Sequence, residues 1–213
     1  MNKKWILELC QAIIEAGLKI QWSCNSRVDS IDGERLEAMK KAGCWLIAFG
    51  VESGSNELLE LMKKGVGVDK AYSAIKLCSV VGIKSSVYLL VGLPWETEDT
   101  FKETSDLAVK LNPDFLEVFY PYPFQGTELY EIAVQEGLLE EGTFPMESYS
   151  KPAIAGLNFT VEELARLRRK LLRRFYLRPS FIYRTLMGAR SPRVLGNYVR
   201  YGAQQLVDLL SRA

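Results

Sequence analysis

The 213-residue sequence contains no histidine. A Ser-His-Asp triad, a Cys-His nucleophile pair and a His-ligated zinc site are therefore excluded within this chain. The side chain best suited to proton shuttling near pH 7 is also missing. The four cysteines, Cys10, Cys24, Cys44 and Cys78, form no C-x2-C or C-x3-C pair, so no local metal loop is written in the sequence. There is no G-x-x-x-x-G-K-[ST], and Gly65-Val66-Gly67 follows a helical pattern without a third glycine at the right spacing. Both facts disfavour a P-loop enzyme or a Rossmann oxidoreductase. No apolar run reaches the length of a membrane span. The stretch after Met1-Asn2-Lys3-Lys4-Trp5 is broken by Glu8, Gln11 and Glu15, unlike a secretory signal. A reducing, cytoplasmic setting with free thiols is the expectation.

What is present suits a globular domain with an appendage: 48% of residues are hydrophobic and 25% charged, and the length supports a sizeable core. The net charge of +1 hides an asymmetry, since residues 1–159 carry 15 basic and 23 acidic side chains while residues 160–213 carry 12 and 3. An Arg-rich tail of this kind touches nucleic acid, an anionic surface or an acidic partner, or else packs on the acidic body of its own chain. Nucleic acid is the least favoured of these partners.

Hydrophobic periodicity gives the order of elements. A helical stripe of Trp5, Leu9, Ala12, Ile13 and Ala16 ends at Gly17. Residues Leu18 to Arg27 alternate like a strand, and Asp32 is placed to cap a helix that Gly43 stops. Cys44 to Val51 is nearly continuous apolar, as in a strand covered on both faces. A short helix capped by Ser55 and a second from Asp69 to Val81 precede a strand from Ile83 to Gly92, which Pro94 ends. A helix from Thr97 to Leu111, a strand from Asp114 to Tyr120 and a helix from Thr127 to Glu136 follow. Residues 138–159 read as a connecting loop. Thr160 and Glu163 form a capping box with Phe159 and Leu164 as its staple. That helix runs to about Leu177, and Ser180–Met187 and Val194–Leu210 read as two more. Successive βα units imply an α/β fold with a parallel sheet and right-handed crossovers, either a partial (β/α) barrel or one wing of a doubly wound sheet. The opening helix has no strand before it, which predicts that the sequence starts inside a larger domain. Residues 1–137 are then an incomplete barrel and residues 160–213 a helical C-terminal appendage. An unpaired sheet edge would favour self-association.

Ligands in parallel α/β folds lie at the C-terminal ends of strands. Those ends hold Asn25, Arg27 and Asp29; Gly50, Glu52 and Ser53; Gly92, Pro94 and Glu96; and Tyr120, Tyr122 and Gln125. Arginine suits a carboxylate and glutamate suits hydroxyls or an amine, so a zwitterionic or ribose-bearing ligand fits this rim. The competing reading is structural: Asp29 and Asp32 as turn and cap residues, Arg27 in an intramolecular bridge, and Gly92-Leu93-Pro94 as an ordinary strand-to-helix turn. Trp22, Trp45 and Tyr88 read as packing residues.

Four ordered segments resemble radical SAM enzymes: Trp22-Ser23-Cys24-Asn25-Ser26-Arg27-Val28-Asp29; Phe49-Gly50-Val51-Glu52-Ser53-Gly54-Ser55 followed by Lys63-Lys64-Gly65; Val91-Gly92-Leu93-Pro94-Trp95-Glu96-Thr97; and Tyr120-Pro121-Tyr122-Pro123-Phe124-Gln125-Gly126-Thr127. They match the third to sixth strands of that family's (β/α)6 barrel over about residues 5–140. Phe124-Gln125 interrupts the usual Pro-Gly of the last segment. The tail around Phe175-Tyr176-Leu177-Arg178-Pro179 is similar to that of the subgroup with an N-terminal cobalamin-binding domain. The resemblance implies S-adenosylmethionine (SAM) and a 4Fe-4S cluster as cofactors, with cobalamin in the subgroup, and a 5′-deoxyadenosyl radical acting on a small-molecule or lipid substrate. It places Glu52 and Ser53 near the ribose or methionine moiety, Gly92, Leu93 and Pro94 on the adenine side, and Asn25 and Arg27 toward the methionine carboxylate or the substrate. The family's C-x3-C-x2-C cluster motif is absent. Cys24 and Cys44 are better read as buried small hydrophobes than as ligands.

The leading expectation is thus the C-terminal portion of a radical SAM enzyme. Alone it should neither assemble the cluster nor cleave SAM, and its partners would be the missing N-terminal half or a cobalamin-binding domain. The alternative is a non-catalytic ligand- or partner-binding α/β module. An aldolase-like barrel half is disfavoured because Lys84 stands at a strand start, the wrong end for a Schiff-base lysine.

Overall fold

The computed structural model describes residues 2–143 and 151–188, with the single positions Gly196 and Arg200. The elements are α1 (Lys3–Glu15), β1 (Trp22–Ser26), α2 (Gly33–Lys41), β2 (Cys44–Glu52), α3 (Asn56–Leu61), α4 (Val68–Val81), β3 (Lys84–Leu90), α5 (Glu98–Leu111), β4 (Phe115–Phe119), α6 (Glu128–Gln135), α7 (Val161–Tyr176) and α8 (Pro179–Met187). Cap chemistry sets several boundaries. Asp32 accepts from Arg35 N at 2.9 Å, and the Thr160/Glu163 box closes in both directions at the start of α7. Gly82, at φ 78°, ends α4 in the left-handed region that glycine enters without a Cβ penalty. Ser55 stands before α3 without a side-chain capping hydrogen bond, and its backbone N–H donates to Ser53 Oγ at 3.1 Å. Apart from the single positions Gly196 and Arg200, the Val194–Leu210 helix lies outside the described residues.

The strands form one open four-stranded sheet, ordered β1-β2-β3-β4 and parallel throughout. Its sequential order follows from right-handed crossovers that return each helix to the same face. On that face Ile47, Phe49, Val87, Leu89, Leu116 and Val118 are buried with Leu36, Ala74, Phe101, Leu171 and Phe175. The alternation read over Leu18–Gln21 does not become strand. β2 begins at Cys44, so β1 has a ladder partner only from Trp22 onward.

The free edge of β4 is covered by α7. Tyr176 Oη accepts from Leu116 N at 3.0 Å and donates to Leu116 O at 2.7 Å. Arg168 Nε donates to Val118 O at 2.7 Å. These side chains satisfy backbone groups that would otherwise template another strand. Among the described residues no strand pairs with the outer edge of β1. Among the described residues, several arginines of the basic appendage bond to the body of the chain. Arg174 bonds Ser105 and Asp106, Arg178 bonds Val109 O and Asn112 Oδ1, and Arg184 bonds Asn112 O and Pro113 O. Among the described residues no helix is long and apolar enough to cross a membrane.

Candidate functional site

Parallel pairing brings the four strand ends to one side of the sheet. Arg27 follows β1, Glu52 closes β2, Gly92 to Glu96 follow β3, and Tyr120 to Gln125 follow β4. Arg27, Glu52 and Glu96 thus share one rim.

The centre of the rim is an ion pair. Glu52 Oε1 accepts from Lys64 Nζ at 2.8 Å, with the side chains only 20% and 17% exposed. A register shift between Gly50 and Glu52 bulges the end of β2, and Glu52 sits at φ 69°. A non-glycine residue there costs on the order of 1 kcal/mol, and such strain and bulges cluster where a side chain must be re-aimed. The pair lies across Gly50. A Cβ at that position would collide with Glu52 Oε1 and come within 3.3 Å of Lys64 Nζ. Arg27 makes a two-pronged bond to Asp29, both at 3.0 Å, and its Nη2 donates to Lys64 O at 3.3 Å. The Asp29 carboxyl is held below its ordinary pKa by the Arg27 guanidinium. Lys64 therefore ties β1 to β2 through both its backbone and its ammonium. It was not among the residues singled out from sequence, although Lys63-Lys64-Gly65 carried the signal.

The turn after β3 is held from below. Gly92, at φ 99°, donates to Glu96 Oε2 at 2.6 Å, and a Cβ there would stand 2.9 Å from Leu164 Cδ1 of α7. Glu96 is 1% exposed, and among the described residues its Oε1 has no partner. Burial pushes its carboxyl up to about 7 against the lowering effect of the Gly92 N–H. Asn158 Nδ2 donates to Glu96 O at 3.0 Å and Leu157 N to Pro94 O at 3.0 Å, locking the turn from outside.

Beside this turn lies a cavity of about 600 Å³ lined by apolar and aromatic side chains, among them Leu90, Leu93, Trp95, Phe119, Tyr122 and Phe124. Lys63 Nζ bonds both carboxylate oxygens of Glu128 at 2.7 Å and joins the end of α3 to α6 along its flank. Of the residues singled out from sequence, Arg27 and Glu52 both bond to Lys64 at the rim, and Leu93 lines the cavity between Gly92 and Pro94. Ser53 is 1% exposed, and its hydroxyl lies 3.1 Å from Thr104 Oγ1 of α5, on the helix side. Asn25 lies inside β1, opposite Ala48 and exposed on the helix-free face. Trp22 packs, its Nε1 donating to Ala42 O at 2.8 Å, and Tyr88 packs edge-on against Phe119. Trp45, read as a packing residue, is instead 42% exposed at the start of β2.

The thiols do not fit an iron–sulfur cluster. Cys10, Cys44 and Cys78 belong to the core beneath the helices, and Cys24 packs against it. Burial pushes Cys78 up to about 12 and raises Cys10, while Cys44 is raised chiefly by its hydrogen bond with Cys24. Cluster ligation needs accessible thiolates converging on one point. Among the described residues no group of three or more Cys, Asp or Glu side chains is placed to hold a metal ion.

The profile of the Radical SAM superfamily matches residues 1–108. An uncharacterized methyltransferase of Pyrococcus horikoshii is 31% identical over 186 residues, covering 87% of this chain and 40% of that protein. Anaerobic magnesium-protoporphyrin IX monomethyl ester cyclase of Rubrivivax gelatinosus is 30% identical over 128 residues, 58% of this chain and 23% of that protein. Two solved structures share the fold. The radical SAM enzyme coproporphyrinogen III oxidase (HemN) of Escherichia coli superposes with a TM-score of 0.59 at 18% identity, over 83% of this chain and 37% of its own. The radical S-adenosylmethionine methyltransferase TsrM of Kitasatospora setae, with cobalamin and a 4Fe-4S cluster bound, gives 0.53 at 20% identity over 78% and 34%. The chain spans less than half the length of each of these relatives. With the profile match over residues 1–108 and a parallel sheet of the same fold, the chain belongs to the radical SAM superfamily.

Proposed function

We propose that this chain forms the SAM-facing wall of a radical SAM enzyme acting on a small-molecule or lipid substrate, and that the wall by itself is not a catalyst. The observation that carries the reading is the rim: Glu52 held in a strained backbone across Gly50 by Lys64, beside Arg27, with an aromatic cavity at the neighbouring strand ends. Its donor set matches the three parts of SAM. Lys64 and Arg27 offer cations to the methionine carboxylate, Glu52 accepts from ribose hydroxyls, and the cavity between Leu93 and Phe119 takes the adenine. Gly92 and Pro94 shape that wall, Ser53 braces the loop from the helix side, and Asn25 faces the substrate. When bound and reductively cleaved, SAM supplies a 5′-deoxyadenosyl radical that removes hydrogen from substrate.

The poor fit of the four thiols to a cluster supports inactivity of these 213 residues alone. The cluster-binding half of the barrel and a cobalamin-binding domain are the partners this reading requires. The Pyrococcus horikoshii match extends through most of the chain and favours methyl transfer within the family.

Calorimetric titration with SAM tests the wall. Weak binding, in the high-micromolar range or above, is expected for the chain, with a further loss in Lys64→Met. Absence of any difference between the two overturns the rim assignment. Anaerobic reconstitution with iron and sulfide is expected to leave no stoichiometric cluster absorbance, and its appearance overturns the claim of inactivity. Tight SAM binding without a cluster would favour a binding module instead.

A further inference from the structure

The sheet has two faces of opposite character. The helix side carries the hydrophobic core, with only a few buried hydroxyls such as Ser85 and the Ser53–Thr104 pair among it. The other side presents Asn25 on β1, Ala48 and Gly50 on β2, Ser86 and Tyr88 on β3, and Glu117 and Phe119 on β4. Strands of a parallel sheet are usually apolar on both faces, so these polar groups need a reason. Tyr88 pairs in register with Gly50 on one side and Glu117 on the other, one strand step below the Glu52–Lys64 pair.

We infer that this face, beneath the charged rim, is a substrate floor suited to a cationic amine, with Glu117 as counter-charge and Tyr88 as aromatic wall. The inference deepens the function proposed above and rests on it, since the face is enclosed only when the sheet is one wall of a barrel. Glu117 is exposed, and buried Ser86 orients it by donating from Oγ to Oε1 at 3.5 Å. Among the described residues no lysine or arginine pairs with Glu117. Lys84, on the same face, is held by Asp114 at 2.7 Å, and Arg168 of α7 is held by Val118 O and the Tyr120 ring. The Tyr88 phenol is near enough for the Glu117 carboxylate to add to the effect of burial in raising its pKa. Its ring meets Phe119 edge-on at 5.5 Å, and Phe119 also lines the aromatic cavity. A carboxylate flanked by an aromatic face binds an ammonium through an ion pair and a cation–π contact together. An acyl chain in the same place would strip water from Glu117 and leave its charge unpaired.

The test is an NMR titration of the chain with 1,5-diaminopentane, its neutral isostere 1,5-pentanediol and, separately, SAM. The diamine is expected to shift the amides of Tyr88 and Glu117, to bind at least tenfold more weakly to Glu117→Gln and to Tyr88→Leu, and to exceed the diol tenfold. SAM affinity should be unchanged in Glu117→Gln, which also reports that the variant is folded. Equal diamine binding by wild type and Glu117→Gln, or equal binding of diamine and diol, overturns the inference. SAM binding without diamine binding overturns it alone. Diamine binding at Glu117 without SAM binding sustains the amine floor and overturns the SAM reading.

Discussion

Replacing Glu96 by glutamine should make the protein more stable in alkaline solution. The carboxyl titrates near 7 in the folded chain against an ordinary value of 4.5, mainly because burial disfavours its charged form. The folded state therefore binds the proton more tightly than the unfolded state. The resulting stabilisation is fully present below about pH 4.5 and is lost as pH rises through about 7. At 1.36 kcal/mol per pKa unit, the loss across that window is about 3 kcal/mol. Glutamine keeps an oxygen for the Gly92 N–H and puts an uncharged amide where the protonated Oε1 stood. Chemical denaturation followed by circular dichroism at pH 5, 7 and 9 should show wild type losing stability along the series and Glu96→Gln staying level. The two should be close at pH 5, with the variant ahead by about 3 kcal/mol at pH 9, roughly 6–12 °C in melting temperature. Because Glu96 holds the turn that forms one wall of the cavity, the wild type should also bind adenosyl ligands less well above pH 8. Parallel pH profiles for the two proteins would refute the reasoning, since they would mean that Glu96 is solvated or ionised in the folded chain.

Gly50→Ala puts a methyl group where Glu52 Oε1 lies, so SAM affinity by calorimetry should fall tenfold or more; unchanged affinity would mean that the Glu52–Lys64 pair has no part in the site. Tyr176→Phe removes the hydroxyl that serves both Leu116 N and Leu116 O at the edge of β4. It should cost about 1–3 kcal/mol in urea denaturation and increase self-association in sedimentation; a cost below about 0.5 kcal/mol would show that water replaces the hydroxyl freely. Thr160→Ala opens the capping box of α7 and should cost about 1 kcal/mol in the same assay, without altering SAM binding.

The βα order was legible because each junction carries its own chemistry: Gly82 in the left-handed region after α4, Thr97 and Thr160 as caps, and apolar runs at β2 and β3. The rim was legible for the same reason, since the ends of parallel strands are fixed once the strands are. Four features were not. Leu18–Gln21 alternates, but alternation cannot reveal that the neighbouring strand begins only at Cys44. Ser53 follows Glu52 in the matched motif, yet the bulge at the end of β2 sends one side chain to the rim and the next toward Thr104. Lys64 stands 12 positions after Glu52, and only the return of the chain after α3 brings the charges together. The cavity draws on side chains from β3, β4, α3 and α6, so no local pattern announces it.

The account stands on one rim receiving the adenosyl ligand, and amide shift mapping with S-adenosylhomocysteine reads that directly. The predicted footprint is Arg27, Glu52, Lys64, Leu93 and Trp95, at the carboxyl ends of the strands. Shifts confined to Trp45, Gly82 and Lys84, at the opposite ends, would contradict it.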